Sequence, residues 1–226
     1  MKKPKECSAV KRLLSVLFAL ALVLFVLTVS IGLPIYIRPF YYAHIEPLGL
    51  ESYTGLTTAQ LREAYNGILD YLTLPNRPFS CGVLPFSSEG EAHFADCRVL
   101  FDLNRNVLLL SGAVLGVLLL LRKKYGPYRL GKHGAAWWAG LLALILPLVI
   151  GGLAALDFDR AFVIFHKIFF PGKSNWLFDW RTDPIILALP QEFFRNCAIL
   201  IGAGLVVFSL SLLIFSTIRD KKARTS

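Results

Sequence analysis

Four stretches of this chain carry almost no charge: 13–33, 107–121, 135–156 and 197–217. Crossing roughly 30 Å of hydrocarbon takes a helix of about 18–20 apolar residues, and inside that slab every backbone polar group must be paired internally. Three of the stretches reach that length as they stand. The second reaches it if its helix begins near Val99 and carries Asp102 and Arg105 in the headgroup zone. The fold class that follows is an all-α membrane protein with four transmembrane helices, over about 13–33, 100–121, 135–156 and 197–217. The whole chain, 1–226, is expected to form a single integral membrane domain. The first span is too long for the apolar region of a signal peptide, and "SIGLPIYI" offers no small-x-small cleavage pattern, so it is expected to stay attached.

Charge sets the orientation. Segments 1–12, 122–134 and 218–226 are rich in Lys and Arg, with Glu6 and Asp220 as their acids, whereas the segments between them are balanced or acidic. Positive charge is retained on the cytoplasmic side. Both termini and the "RKKYGPYRLGKHG" loop are therefore expected inside, and 34–99 and 157–196 outside, as an extracytoplasmic cap. The net charge of +9 belongs to the flanks of spans and does not form a face, which argues against nucleic acid as a partner.

The cap has structure of its own. In "LTTAQLREAYNGILDYLTLP", Leu61, Tyr65, Ile68 and Leu72 recur at helical spacing, while Arg62, Glu63, Asn66 and Asp70 stay polar. Thr57 and Gln60 have the spacing of a capping box, and Pro75 ends the helix. "NRPFSCGVLPFSSEGEAH" reads as turns and short strands, so the cap is expected to hold short helices with short strands between them. Farther along, Phe162, Phe165, His166 and Phe169 share one helical face, which Pro171-Gly172 breaks. Aromatic residues gather in the outer segments more than a two-sided interfacial belt requires. That asymmetry suits a cap that rests on the bilayer, contacts membrane lipid and handles an amphipathic molecule. Cys81 and Cys97 share the first outer segment and could be joined there or left free.

Several chemistries are excluded or weakened. No G-x-G-x-x-G or P-loop pattern occurs, so neither a nucleotide nor another cofactor is expected. No H-x-x-x-H or H-E-x-x-H pair occurs, so no metal is expected. No G-x-S-x-G motif presents a serine nucleophile. Three histidines remain outside, His44, His93 and His166, and imidazole is the side chain best suited to moving protons near neutral pH. His93 lies among Glu89, Glu91 and Asp96, acids that could orient its ring and favour its charged form. From the residues alone, His93 is equally a surface histidine in an acidic loop, His166 an interfacial residue on a Phe-rich helix, and His44 structural.

The arrangement as a whole resembles a known family. Four spans, "EAHFADCR" before the second and "FHKIFFPGKSNWLFDWRTDPIILALPQEFF" before the fourth are similar to the lipoprotein intramolecular transacylases of Gram-positive bacteria, over essentially the whole chain. The resemblance implies an acyltransferase of the bacterial cell membrane with its active site at the extracytoplasmic face. It places a catalytic pair on His93 and His166. Phe94, Cys97 and Arg98 depart from the pattern, where the family more often has Met after the first histidine and Val-Lys after the aspartate. Tyr71, Trp176 and Asp183 are expected to position substrate or orient a ring, with Phe165 and Phe169 as apolar walls.

The implied substrate is a diacylated bacterial lipoprotein whose N-terminal cysteine carries a diacylglyceryl group on sulfur, bound by a monomer. Its sn-2 acyl chain would move to the cysteine α-amine, giving the lyso-form lipoprotein. Ester to amide is downhill, which agrees with the missing phosphate motifs. His93, with its acidic neighbours, is expected to hold charge and donate a proton, and His166 to act as base. The alternatives are a non-enzymatic membrane cap that binds lipid or a partner, and an interfacial lipid hydrolase.

Overall fold

A computed structural model describes residues 4–225; Met1–Lys3 and Ser226, parts of the basic ends, lie outside the described residues. In chain order the elements are α1 (Pro4–Tyr36), α2 (Pro39–Tyr42), α3 (Leu50–Thr54), α4 (Thr58–Thr73), α5 (Ser88–Tyr125), β1 (Arg129–Leu130), β2 (His133–Gly134), α6 (Ala135–Leu156), α7 (Phe158–Phe169), α8 (Ile185–Ala188) and α9 (Gln191–Thr225). Four of them, α1, α5, α6 and α9, contain stretches long and apolar enough to cross a membrane. The chain divides into two compact units. One comprises 1–31, 105–152 and 201–226, the other 32–104 and 153–200.

The first unit is built from the apolar parts of the four long helices. Its outward surface carries large apolar side chains such as Leu109, Leu110, Leu120 and Phe215, as expected where lipid is the solvent. Small residues let helices approach inside it. A Cβ at Gly140 of α6 would lie 2.9 Å from the Ser209 carbonyl oxygen of α9, and Ala139 and Ala143 beside it are buried. Buried serines close their hydroxyls onto their own helices, Ser15 on the Lys11 carbonyl at 2.8 Å and Ser30 on Val26 at 2.8 Å. The basic loop forms a two-stranded antiparallel hairpin, β1 with β2, turned at Gly131 with φ +63°.

The second unit has an aromatic and aliphatic core. Helix α4 buries Leu61, Ala64, Tyr65, Ile68, Leu69 and Leu72, and its N-terminus carries the Thr57–Gln60 capping box. Tyr41 is fully buried, stacks on Tyr65 at 4.0 Å and donates to the Ala188 carbonyl at 2.9 Å. The stretch 76–87 runs as turns, with Gly82 at φ +62°.

Helix α5 starts eleven residues before the Val99 that the apolar run marks. Ser87 caps it, its Oγ accepting from Gly90 N at 3.0 Å, and Glu89 and Glu91 sit in the first turn, where the helix dipole favours acids. At ~1.5 Å per residue its 38 residues span about 57 Å. Since about 30 Å crosses the hydrocarbon, the turns ahead of the apolar run stand outside the spanning segment. His93 is on those turns.

Candidate active site

Two segments distant in sequence bring His93 and His166 together. The buried carboxylate of Asp183 accepts from Ser87 N at 2.8 Å, Ser87 Oγ at 2.7 Å and Thr182 Oγ1 at 2.8 Å, tying the start of α5 to the chain after α7. Gly90 makes this approach possible, because a Cβ there would lie 2.2 Å from Asp183 Oδ1. One turn beyond His93, Asp96 pairs with Lys173 and accepts from Asn175 Nδ2 at 3.1 Å. The two rings then stand 5.9 Å apart between centroids, tilted by 30°. Both are nearly sealed, His93 at 6% and His166 at 7% exposure.

Aromatic rings make the walls. His166 stacks on Trp176 at 4.4 Å and meets Phe162 at 4.3 Å. His93 is met edgewise by Phe170 at 5.0 Å and Phe178 at 5.4 Å. Phe165 is edge-on to His166 at 5.5 Å, and Phe169 packs on Phe165 at 4.6 Å, both largely exposed. Phe178 also lines a cavity of about 530 Å³, together with Ser87, Lys173, Asn175, Leu177 and Thr182 among others.

The nitrogens of the two rings are not equivalent. His166 Nδ1 lies 2.7 Å from the Phe162 carbonyl oxygen. A carbonyl can only accept, so Nδ1 carries the proton and, in the neutral ring, Nε2 carries the lone pair. His93 has Nε2 at 3.4 Å from Cys97 Sγ, and its Nδ1 is buried without a partner. Burial pushes the His93 imidazole from 6.5 down to about 4, helped by nearby His166 and Lys173 and opposed by Asp96. Burial lowers His166 too, partly offset by its bond to Phe162.

This corrects the expectation that acids hold His93 charged. Glu89 and Glu91 are exposed, and Asp96 is engaged by Lys173 and Asn175, so the loss of hydration outweighs them. The remaining expected residues separate into groups. Trp176, Phe165 and Phe169 belong to the wall around His166. Tyr71 is separated from His93 by two rings: it packs on Phe79 at 5.3 Å, beneath Arg98, and Phe79 packs on Phe94 at 5.2 Å. Asp183 holds the two segments together through the bonds described above. Cys81 and Cys97 are free thiols. His44 bonds the Phe40 carbonyl of its own turn at 2.6 Å. Among the described residues no group of three or more His, Cys, Asp and Glu side chains could hold a metal ion. Sequence reasoning missed Cys97, Phe170, Phe178 and the Asp96–Lys173–Asn175 cluster. Knowing that α5 begins at Ser88 would have exposed Cys97, which then falls one turn from His93.

Comparison with known proteins gives one family. The sequence model of "Lipoprotein intramolecular transacylase Lit" matches residues 16–194. A search of curated protein sequences finds no match. Among solved structures, the chain is similar to the membrane integral lipoprotein intramolecular transacylase Lit from Bacillus cereus. That match has a TM-score of 0.89 at 23% identity and covers 97% of this chain and 100% of the other. Two structures of the same Bacillus cereus protein also match. The form with a histidine-to-arginine mutation has a TM-score of 0.80 at 23% identity, covering 96% of this chain and 95% of that one. The form with a histidine-to-alanine mutation has a TM-score of 0.81 at 23% identity, covering 97% of each.

Proposed function

This chain belongs to the lipoprotein intramolecular transacylase family, and we propose that His93 and His166 are the pair that carries its reaction. It is a multi-pass membrane acyltransferase that performs intramolecular transacylation of lipoproteins. The observation supporting the assignment to these two residues is their approach to 5.9 Å in an aromatic enclosure that keeps both rings neutral.

The transfer takes the sn-2 acyl chain of an S-diacylglyceryl cysteine to the α-amine of that cysteine. Carbonyl carbon, ester oxygen, two glyceryl carbons, sulfur, two cysteine carbons and nitrogen close an eight-membered ring. Such a ring forms reluctantly, and holding the chain folded is an orientation problem worth up to about 7–11 kcal/mol. The exposed Phe165 and Phe169 receive acyl chains, and the cavity that Phe178 lines receives the polypeptide that continues from the cysteine.

His166 is the base. With Nδ1–H fixed on the Phe162 carbonyl, Nε2 takes the proton from the attacking amine and returns it to the departing glyceryl oxygen. The C–N bond forms, the C–O bond breaks, and one proton moves from nitrogen to oxygen, so nothing else is consumed. Proton transfer of this kind supplies about 10²–10⁴-fold. His93, kept neutral, donates a ring N–H to the oxyanion of the tetrahedral intermediate, a contribution of about 10²–10³-fold. The pair comes from one chain, so a monomer is sufficient. The site faces outward, with both termini and the 122–134 loop in the cytoplasm, and residues 1–226 act as a single integral domain.

The test uses purified protein and a diacylglyceryl lipopeptide with a free amine. The expected product has unchanged mass, an N-acyl amide and a free hydroxyl at the sn-2 carbon. Acetylating the amine stops the reaction, and mixed heavy-acyl and light-acyl substrates give no crossed products. Crossed products would mean transfer between molecules. Loss of one acyl chain would mean hydrolysis, and either outcome overturns the assignment.

A further inference from the structure

We propose that Cys97 is a positioning residue for this reaction: its thiol hydrogen bonds to Nε2 of His93 and holds that ring in the tautomer whose proton is on Nδ1. The inference rests on the reading above, in which His93 serves as a neutral N–H donor.

A neutral imidazole has one N–H, and an unrestrained ring exchanges between two tautomers. Cys97 follows His93 by one helical turn, a separation at which side chains on a helix meet, and its Sγ lies 3.4 Å from Nε2. Two hydrogen placements are compatible with that distance. In one, the thiol donates to the lone pair on Nε2 and Nδ1 bears the proton. In the other, Nε2–H points at sulfur and Nδ1 bears the lone pair. Sulfur is a weak acceptor and imidazole nitrogen a strong one, so the first is favoured. Apolar burial keeps the thiol protonated, which makes it a donor and leaves it inert as a nucleophile.

The unpartnered nitrogen gives this placement its use. His93 Nδ1 is buried with no hydrogen-bond partner, an arrangement that costs free energy and that a substrate oxygen accepting from this nitrogen would relieve. Around the ring, the charged and titratable groups are His166, Asp96 and Lys173. Asp96 is occupied by Lys173 and Asn175, and His166 spends its N–H on Phe162. The Cys97 thiol is the polar group bonded to the ring.

Nitrogen NMR of ¹⁵N-histidine-labelled full-length protein reads the tautomer directly, and lipopeptide turnover reads its consequence. Wild type is expected to show His93 protonated on Nδ1. Cys97→Val removes the donor at similar volume; the ring then populates the other tautomer, and kcat falls about tenfold with KM little changed, the direction in which a misassigned catalytic histidine fails. Cys97→Ser, which keeps a donor, restores both tautomer and rate. If Cys97→Val does not fold, the wild-type spectrum decides alone. His93 protonated on Nε2 in wild type would overturn the proposal, as would a Cys97→Val protein unchanged in tautomer and rate. An acyl thioester trapped on Cys97 would overturn it in favour of a covalent route. Full activity in His93→Ala would instead overturn the donor role of His93, whatever the tautomer.

Discussion

Two histidines of this molecule are stacked on tryptophans in nearly the same way and are put to different uses. His133, in the hairpin of the first unit, stacks on Trp137 at 4.3 Å, and His166, in the second unit, stacks on Trp176 at 4.4 Å. What differs is the oxygen beside each ring. His133 Nδ1 is 3.5 Å from the Asp220 carboxylate, which also pairs with Arg129 at 2.9 Å and accepts from Gly134 N at 3.1 Å. That carboxylate, rather than the ring, clamps β1 and β2 to α9, and His133 Nδ1 stands beside it without a hydrogen bond. His166 has a backbone carbonyl, which fixes the tautomer without bringing charge. A stacked imidazole is therefore not itself a sign of catalysis; the kind of oxygen beside the ring separates the two.

The comparison can be broken in several ways. The sharpest is all or none: a cysteine at Ser174 should react with an impermeant thiol reagent on intact cells, above the background of native thiols, while one at Lys132 is shielded. Labelling at Lys132 would put the hairpin outside and reverse the assigned sidedness. Next, at normal membrane abundance, His166→Ala should lower lipopeptide conversion by about 10²–10⁴-fold and His93→Ala by about 10²–10³-fold, whereas His133→Ala stays close to wild type. An inactive, well-folded His133→Ala protein would erase the distinction.

Asp183→Ala should act on stability more than on the chemical step. It leaves Ser87 N–H and the Ser87 hydroxyl without their acceptor, while Thr182 Oγ1 retains the Asp179 carbonyl, at about 1–3 kcal/mol for a stranded buried group. Thermal unfolding in detergent should register the loss, and an unchanged midpoint would show that the bonds to Asp183 are dispensable. pH separates the regions more gently. A lowered imidazole stays neutral between its ordinary value of 6.5 and its value in the folded protein. Moving from pH 8 to pH 6 therefore leaves His93, at about 4, uncharged. Over that interval kcat/KM should fall with protonation of the substrate amine, whose ordinary pKa is about 7.7–8.0. An acid limb centred near 6.5 would mean that a catalytic histidine titrates as though exposed. The smallest effect is expected at the clamp, where Asp220→Asn should cost about 1 kcal/mol of stability and leave turnover unchanged.

The sequence exposed some of this directly. Apolar length identified the spanning stretches because hydrocarbon thickness leaves no alternative, and Thr57–Gln60 marked α4 because a capping box is local chemistry. The start of α5 was hidden, since hydropathy finds where lipid begins and not where a helix begins. Ser87 caps that helix well ahead of the apolar run, and reading 76–93 as turns and short strands left Cys97 without its relation to His93. The acids near His93 misled for a similar reason: neighbours along the chain point outward from a helix, and the partners of a buried ring come from other elements. The His93–His166 approach depends on Asp183 and Gly90, a long-range fit that no local pattern announces; only likeness to a family suggested it.

The segment between α7 and α8 is fastened at its two ends by unlike means. At its far end Asp183 is buried among three donors, beyond the reach of mobile ions. At its near end Lys173 meets Asp96 as an ion pair with side chains 49% and 23% exposed, the kind worth about 0–1 kcal/mol. Dissolved salt screens the near fastening and leaves the far one intact. As ionic strength rises, the near end of this segment is therefore expected to loosen before the far end does.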